Sequence, residues 1–210
     1  VIVPGYLVDY VVLSRDIESD HRQSCEYVYE PSLAGNLSKD PKKITLNNSN
    51  DKIERTIIAK RAIEELKDGD IINLGQGIPT DIIPLLKNYS NLKNIHFTLE
   101  SGVSGGVPLA VPDFGISHNP ESMIRPDDMF MLFNGGGLDV SFLGFAQIDK
   151  TGNVNVSKFG NKFVGCGGFI DIAQSTKKLI FCGTFNAKGL SVVIENGSLF
   201  ITSEGKLQKF

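Results

Sequence analysis

The chain has 210 residues, of which 41% are hydrophobic and 21% charged, and its formal net charge is −3 at pH 7. This composition supplies enough apolar side chains for a buried core and excludes general disorder. The weak negative charge creates no basic field that would attract phosphates, which excludes nucleic acid and an anionic membrane surface as main partners. The apolar runs fall short of the roughly 18 residues that a membrane span needs.

The cysteines and histidines do not form a metal-binding pattern. Cys25, Cys166 and Cys182 are widely spaced and contain no C-x-x-C pair, and the three histidines are equally scattered. We therefore expect no metal and no disulfide framework. Reduced thiols in a cytoplasmic protein fit this cysteine usage best.

The first quarter of the chain differs in character from the rest. Residues 1–13 are apolar and strand-like, whereas residues 14–50 are polar and interrupted by prolines, which is typical of a linker. A helix is predicted over residues 51–67, because apolar residues recur there at helical spacing and Asp51 and Glu54 can cap its start.

Beyond residue 70, short apolar strands alternate with helical segments such as "DIIPLLKN" and "GGFIDIAQST". Strands with near-continuous apolar runs are buried on both faces, so the sequence predicts an α/β protein with an open, mostly parallel sheet covered by helices on both faces. Two hairpins are also expected, one at "GNVNVS" and one turning at Asn196-Gly197. The predicted strands of the sheet are 71–74, 95–99, 129–134 and 179–183.

In such sheets ligands bind beyond the carboxyl ends of the strands. Glu100 stands at such an end in "LESGVSGGVP", and the glycines that follow it, beginning with Gly102, would let a substrate approach closely. A cap or a surface ion pair is the ordinary role of a glutamate. A carboxylate that acts without a histidine beside it is either a base or a nucleophile that forms an anhydride or ester.

Three glycine clusters accompany this carboxylate. "LGQGIPT" lacks the third glycine of a dinucleotide fingerprint, so plain turn glycines or a loop that binds an acyl or phosphate group are the remaining readings. "FNGGGLD" and "VGCGGFID" hold more glycines than one turn needs, and the second precedes a predicted helix whose free amides could bind an oxyanion. We predict a substrate loop made of Gly75, Gly77, Gly102, Gly135, Gly136 and Gly137.

Other reactive side chains near these motifs have simpler interpretations. Asp139, Asp149 and Asp171 each end or follow an apolar segment and are interpreted as caps or turn residues. Cys166 lies inside the glycine cluster "VGCGG", but no histidine is placed to activate it. A small buried filler is the interpretation favoured for this thiol.

Long stretches of the chain resemble the class I coenzyme A transferases, in particular the fused acetate/propionate and acetoacetate type. The resemblance runs from residue 1 to about residue 190, in order and with family-like spacing. Its motifs are "PGYLVD", "GDIINLGQGIPTDI", "LESGVSGGVP", "FGISHNPESMI", "FNGGGLDVSFLGFAQIDKTGNVNVSKFG" and "GCGGFIDIAQSTKKLIFCGTF".

The resemblance implies a catalytic role for two of these sites. In that family the glutamate of the E-[SN]-G motif, which matches Glu100, is the covalent nucleophile. The G-x-G-G-[FA] motif, which matches Gly165, Gly167, Gly168 and Phe169, supplies amides to the thioester. The implied reaction moves CoA from an acyl-CoA to a short-chain carboxylate, and CoA is a substrate, so no further cofactor is expected.

The resemblance also implies a domain arrangement. Residues 1–50 match the tail of a preceding alpha domain with its linker, and residues 51–210 match a beta domain that is truncated at its C-terminus. We therefore expect the missing alpha domain as a partner, a homo-oligomer as the assembly, and no turnover by this stretch alone. An acyl-CoA hydrolase on the same scaffold is the nearest alternative, and a non-catalytic α/β sugar-phosphate sensor is a more distant one.

Overall fold

The computed structural model describes residues 3–16, 20–44 and 52–210 of the chain. The helices in this part are α1 (Ile53–Ile63), α2 (Ile82–Leu86), α3 (Pro126–Asn134) and α4 (Phe169–Ser175), with short 3₁₀ turns at Gly5–Leu7, Pro31–Leu33, Pro41–Lys43 and Ile78–Asp81. The strands are β1 (Ile71–Leu74), β2 (His96–Thr98), β3 (Val103–Ser104), β4 (Val107–Pro108), β5 (Ser117–His118), β6 (Ser122–Met123), β7 (Val140–Leu143), β8 (Gln147–Ile148), β9 (Val154–Asn155), β10 (Lys158–Phe159), β11 (Lys162–Phe163), β12 (Lys178–Phe181), β13 (Asn186–Ala187), β14 (Leu190–Glu195), β15 (Ser198–Glu204) and β16 (Leu207–Gln208).

A six-stranded sheet with the order β12-β7-β1-β2-β3-β6 forms the centre of the fold. Its first four strands are parallel, and β3 and β6 extend it in antiparallel fashion. In the register, Ile72 of β1 lies between Phe97 of β2 and Val140 of β7. The carboxyl ends of the four parallel strands therefore meet at one edge of the sheet, which confirms the predicted α/β architecture.

Each face of the sheet is covered by a pair of helices. On one face, Ile72 and Phe142 pack with Ile63 of α1 and Ile82 of α2, and all four side chains are fully buried. The opposite face packs against α3 and α4, and its cluster contains Met129, Phe133, Leu138, Leu143 and Ile172. Burial of each such side chain stabilises the fold by about 1.5–3 kcal/mol relative to exposure.

The predicted strand over 129–134 is wrong, because this segment is the last part of α3. Met129 and Phe133, four residues apart, are fully buried, whereas Met131 between them is 72% exposed. That spacing puts the buried pair on one helix face. Pro126 and the two aspartates that follow it occupy the first turn, where such residues favour the start of a helix. These signals are overlooked in the sequence because the residues after them form an apolar run.

The amino-terminal segment also differs from its prediction. No strand forms over residues 3–13, where Tyr6, Tyr10 and Val12 are at least 86% exposed and so bury no apolar face. Residues 20–44 contact strand β5 instead, through a 2.8 Å hydrogen bond between Ser32 Oγ and buried His118 Nδ1.

Helix α1 is shorter than its prediction and the two hairpins are confirmed. The helix ends at Ile63 rather than residue 67, its N-cap is Lys52 without a side-chain cap bond, and Asp51 lies outside the described residues. β8 pairs with β9 at "GNVNVS", and β14 pairs with β15 around the turn at Asn196-Gly197, whose two residues have positive φ.

No helix of the described segments has the length and apolarity to cross a membrane.

Candidate active site

Glu100 lies in a tight turn directly after β2. The amide of Gly102 donates to the carbonyl of Leu99 (3.0 Å), and the amide of Leu99 donates to Val103 O (2.8 Å), so Glu100 and Ser101 form the tip of the turn. Gly102 has φ +101°, and a Cβ atom there would lie 1.9 Å from the carbonyl oxygen of Ile124. Only glycine fits this close approach of two backbones, so Gly102 shapes the turn that presents Glu100.

Side chains one layer below the turn hold this end of β2. Asn73 Nδ2 donates to the Thr98 carbonyl (3.1 Å), and Thr98 Oγ1 donates to the Ile72 carbonyl (2.9 Å). Both Asn73 and Thr98 are buried, so these bonds are shielded from water. They join β1 to β2 two residues before Glu100 and thereby limit the movement of the strand end that carries it.

The carboxylate of Glu100 is half-buried and without a protein partner. No donor in the described part of the chain hydrogen-bonds to it, and the salt bridges found there do not include it. Desolvation by burial raises the pKa of Glu100 above its ordinary value. A poorly solvated carboxylate with no partner is a stronger nucleophile than one stabilised by an ion pair.

The glycine loop at residues 165–168 lies directly against this carboxylate. A Cβ atom at Gly168 would stand 3.0 Å from Glu100 Oε2 and 2.7 Å from the ring of Phe130. Gly165 and Gly167 have positive φ, and no acceptor among the described residues takes a hydrogen bond from the amides of Cys166, Gly167 or Gly168. The loop therefore presents free backbone N–H groups beside the carboxylate.

Glu100 and the loop line one cleft of about 510 Å³ at the carboxyl edge of the sheet. Of the predicted site residues, the structure brings together Glu100, Gly75, Gly165, Gly167, Gly168 and Phe169. Gly75 packs tightly there, since its amide donates to Phe142 O (2.7 Å) and a Cβ would lie 3.1 Å from Leu143 Cδ2. Glu100 and the glycine loop at residues 165–168 thus share one cleft.

The other predicted loop glycines do not line this cleft. Gly77 caps the 3₁₀ turn at Ile78–Asp81, with φ +100°. Helix α3 is followed by Gly135, Gly136 and Gly137, whose backbone amides donate hydrogen bonds to the carbonyls of Met131, Phe133 and Leu132, respectively. They precede the start of β7, at the sheet edge opposite to Glu100, because the strand predicted before them is a helix. They therefore lie away from this cleft, and their role as substrate-loop residues stays a prediction.

Sequence reasoning missed several residues that line the cleft. Gln76 follows β1, Phe145 follows β7, Phe114 lies in the loop after β4, and Phe159 belongs to β10. The first two stand just beyond carboxyl ends of central strands, which is a signal that could have identified them. Phe114 and Phe159 reach the cleft through loop and hairpin geometry, which the sequence pattern does not reveal.

The other reactive side chains considered from the sequence include two aspartates with structural roles and one exposed cysteine. Asp139 accepts from the Ile71 amide (2.9 Å) and pairs with Lys177, bonds that lower its pKa. Asp149 organises its turn through Thr151 and Asn153, which strongly lowers its pKa. Cys166 is exposed in the cleft wall, so its interpretation as a buried filler is wrong.

No group of three or more histidine, cysteine or acidic side chains that could hold a metal ion occurs in the described ranges. The carboxylate that lines the cleft is Glu100, and the other lining residues include neither lysine, arginine, histidine nor aspartate. The arrangement consists of one desolvated carboxylate, adjacent free amides and apolar walls. It suits nucleophilic acyl chemistry with backbone stabilisation of an oxyanion.

Comparison with known proteins gives a consistent picture. The model of the Coenzyme A transferase family matches residues 55–185. A caffeate CoA-transferase of Acetobacterium woodii is 44% identical over 99% of this chain and 40% of its own length. The acetate CoA-transferase subunit beta of Escherichia coli K12 is 31% identical over 70% of this chain and 72% of that subunit.

A solved structure supports the same assignment. The acyl-CoA transferase YdiF of Escherichia coli O157:H7, described as a thioester complex with CoA, matches all of this chain and 37% of its own, with 34% identity and a TM-score of 0.73. The chain thus spans about two fifths of the length of the first relatives it matches. From its family match and from relatives that align over nearly its entire length, this chain belongs to the coenzyme A transferase family.

Proposed function

We propose that Glu100 is the covalent nucleophile of a CoA transfer from an acyl-CoA to a carboxylic acid. The observation that carries the proposal is the contact between the Glu100 carboxylate and Gly168 of the glycine loop inside one cleft. The carboxylate oxygen attacks the thioester carbonyl, the C–S bond breaks, and an acyl-glutamyl anhydride and CoA thiolate form. The thiolate then attacks the glutamyl carbonyl, which releases the donor acid and leaves a glutamyl-CoA thioester.

The second half of the reaction reverses these steps with a new acid. The acceptor carboxylate attacks the glutamyl thioester, releasing CoA thiolate, and the thiolate attacks the acceptor's carbonyl to give the new acyl-CoA and restore Glu100. Amides of the glycine loop stabilise each tetrahedral oxyanion. Loss of one such donor typically costs about 10²–10³ in rate. CoA is a substrate in this scheme, and no metal or redox cofactor takes part.

The acceptor is proposed to be a short-chain carboxylate, as the names of the acetate CoA-transferase relatives support. The relative named for caffeate and the phenylalanines that line the cleft, including Phe114 and Phe145, favour an aromatic acid as a second acceptor class. Competition between acetate and caffeate for one donor distinguishes the two. A matching alpha domain or subunit completes the site, in a cytoplasmic homo-oligomer.

Trapping tests the nucleophile in the complete enzyme. Incubation with acyl-CoA followed by borohydride reduces a glutamyl thioester to an alcohol, which peptide mass spectrometry assigns to position 100. Glu100→Gln should abolish both adduct and transfer. Glu100→Asp retracts the carboxylate, and about 1 Å of misplacement costs on the order of a hundredfold in rate. Full activity in the Gln variant, with no adduct in the wild type, contradicts the proposal. Product formation without an acceptor acid identifies a hydrolase instead.

A further inference from the structure

The cleft contains no cation to match the phosphate groups of CoA. Its lining side chains are neutral apart from Glu100, which is negative when ionised. CoA carries its phosphates at the end remote from its thiol, so they extend beyond the cleft when the sulfur stands at Glu100. Phosphates in protein sites are held by lysine, arginine or backbone amides.

One wall of the cleft is a short hairpin that is continuous with the glycine loop. We call residues 157–164, which contain β10 and β11, the lysine finger. Its base is closed by the amides of Val164 and Gly165, which both donate to Ser157 O (2.8 and 3.1 Å). Asn155 Oδ1 accepts from the amides of Ser157 and Lys158 and shapes the entry turn. The finger is thus held at a defined place beside the loop that contacts Glu100.

The strand register puts one lysine on the side of the finger that faces the cleft. Phe159 lies directly opposite Lys162, and such cross-strand pairs share a face of the ribbon. Phe159 lines the cleft, so Lys162 flanks the same opening. On the other face, Lys158 Nζ lies 4.7 Å from the centroid of the Phe163 ring. Both lysines are exposed, Lys162 on the face of the finger that carries Phe159 and Lys158 on the opposite face.

The charged side chains of the finger itself are lysines, whereas Asp149 and Asp171 lie outside it along the sequence. Residues 150–170 contain three lysines (Lys150, Lys158 and Lys162) and neither aspartate nor glutamate. None of the three forms a salt bridge with any described residue. An anion that leaves the cleft is therefore drawn toward the finger.

We propose that Lys158 and Lys162 of the lysine finger bind the phosphate groups of CoA. This inference rests on the proposed function, since it assumes that the CoA sulfur lies at Glu100. The apolar side of the finger, with Phe159, borders the path of the pantetheine arm, and the two ammonium groups receive the anionic end.

The test measures binding rather than turnover. Dissociation constants of CoA and of pantetheine, which lacks the phosphates, are determined by titration calorimetry for the complete enzyme and for its Lys158→Ala/Lys162→Ala variant. Exposed charge pairs contribute up to about 1 kcal/mol each, so the Kd of CoA should rise roughly five- to twentyfold. The Kd of pantetheine should stay unchanged, and added salt should reduce the difference.

Lys60→Ala is the matched control. Lys60 is an exposed lysine of α1, which covers the face of the sheet opposite to α4. An equal rise in both dissociation constants, or a Kd of CoA no higher than that of the control, overturns the proposal. Absence of a glutamyl thioester in the wild type would instead contradict the proposed function, and phosphate-dependent CoA binding is measured independently of that adduct.

Discussion

Glu100 and Gly168 are in contact across the cleft: a Cβ atom on Gly168 would lie 3.0 Å from Glu100 Oε2. The same Cβ would lie 2.7 Å from Phe130 Cζ, so a methyl group at position 168 would have to displace the Glu100 carboxyl group, the Phe130 ring or the loop itself. Position 168 is thus crowded by the carboxyl group on one side and by the ring on the other.

Gly168→Ala is expected to impair transfer while the protein still folds. The added methyl group displaces Glu100 or the loop amides by tenths of an ångström or more, and misplacement of about 1 Å costs on the order of a hundredfold in rate. Gly5→Ala is the control, because nothing lies within 4 Å of its Cβ position. Steady-state kinetics of the complete enzyme give the result, and wild-type kcat in Gly168→Ala contradicts the close fit.

The three cysteines should react differently with a thiol reagent. Cys25 and Cys166 are exposed, whereas burial raises the pKa of Cys182 to about 12 and hides its sulfur. Iodoacetamide should therefore modify the first two and spare the third. Because Cys166 lines the cleft, saturating CoA should protect it and leave Cys25 reactive. Peptide mass spectrometry reads all three sites at once, and equal labelling of Cys166 with and without CoA argues against CoA in this cleft.

The sequence predicted correctly those strands whose apolar run is short and clearly bounded. β1 matches its predicted bounds of 71–74, and β2 and β12 lie within one residue of theirs at each start, because short apolar runs were bounded by polar or glycine residues. α3 was missed because "DMFMLFN" is apolar on more than one helix face, so that periodicity alone resembled a buried strand. That one error moved Gly135, Gly136 and Gly137 to the wrong edge of the sheet.

The candidate site also contains residues that the sequence analysis identified and residues that it missed. Glu100 and the glycine cluster at residues 165–168 were singled out because one follows a strand and the other precedes a helix, whereas Phe169 and the catalytic roles came from the resemblance to the CoA transferases. Phe114 and Phe159 were not identified, because their positions beside the cleft depend on contacts between segments that are distant in sequence. The loop of Phe114, for example, is tied to the turn of Glu100 through a hydrogen bond from Ser101 Oγ to Gly115 O.

Two ion pairs of similar length should differ in their contribution to stability. Arg55 binds Asp81 through two bonds (2.6 and 2.9 Å), with both side chains less than 20% exposed, and it ties α1 to the turn that follows β1. Arg125 and Asp127 pair at 2.6 Å with 76% and 59% exposure. Asp81→Ala should lower the free energy of unfolding by about 1.5–3 kcal/mol, because it removes two charge-assisted hydrogen bonds from a partly buried guanidinium.

Asp127→Ala serves as the matched exposed control, with an expected change below about 1 kcal/mol. Urea unfolding monitored by circular dichroism measures both variants under the same conditions. Equal losses of stability in the two variants would show that burial does not distinguish these pairs.

Glu100→Gln should separate stability from activity. Desolvation raises the pKa of Glu100, so at pH values between its ordinary and its raised pKa the folded protein binds more protons than the unfolded chain. The free energy of unfolding therefore falls as pH rises through that window and stays lower above it. Glutamine carries no charge and escapes this cost. The variant should unfold at a higher temperature than the wild type at neutral pH, and the difference should vanish below the ordinary pKa of a glutamate, while transfer is abolished.

Glu65→Gln provides the opposite sign on the same chain. Lys178 and then Arg61 lower the pKa of Glu65 through hydrogen bonds and charge, so its ionised form stabilises the folded state above the ordinary pKa, and this stabilisation disappears as pH falls through the lowered value. The Gln variant at position 65 should unfold at a lower temperature than the wild type at neutral pH and keep its transferase activity. Thermal unfolding across pH 3–8 compares the two variants. If Glu100→Gln were destabilising at neutral pH, the carboxylate would be held by favourable contacts, as a structural residue is, and its assignment as a desolvated nucleophile would be wrong.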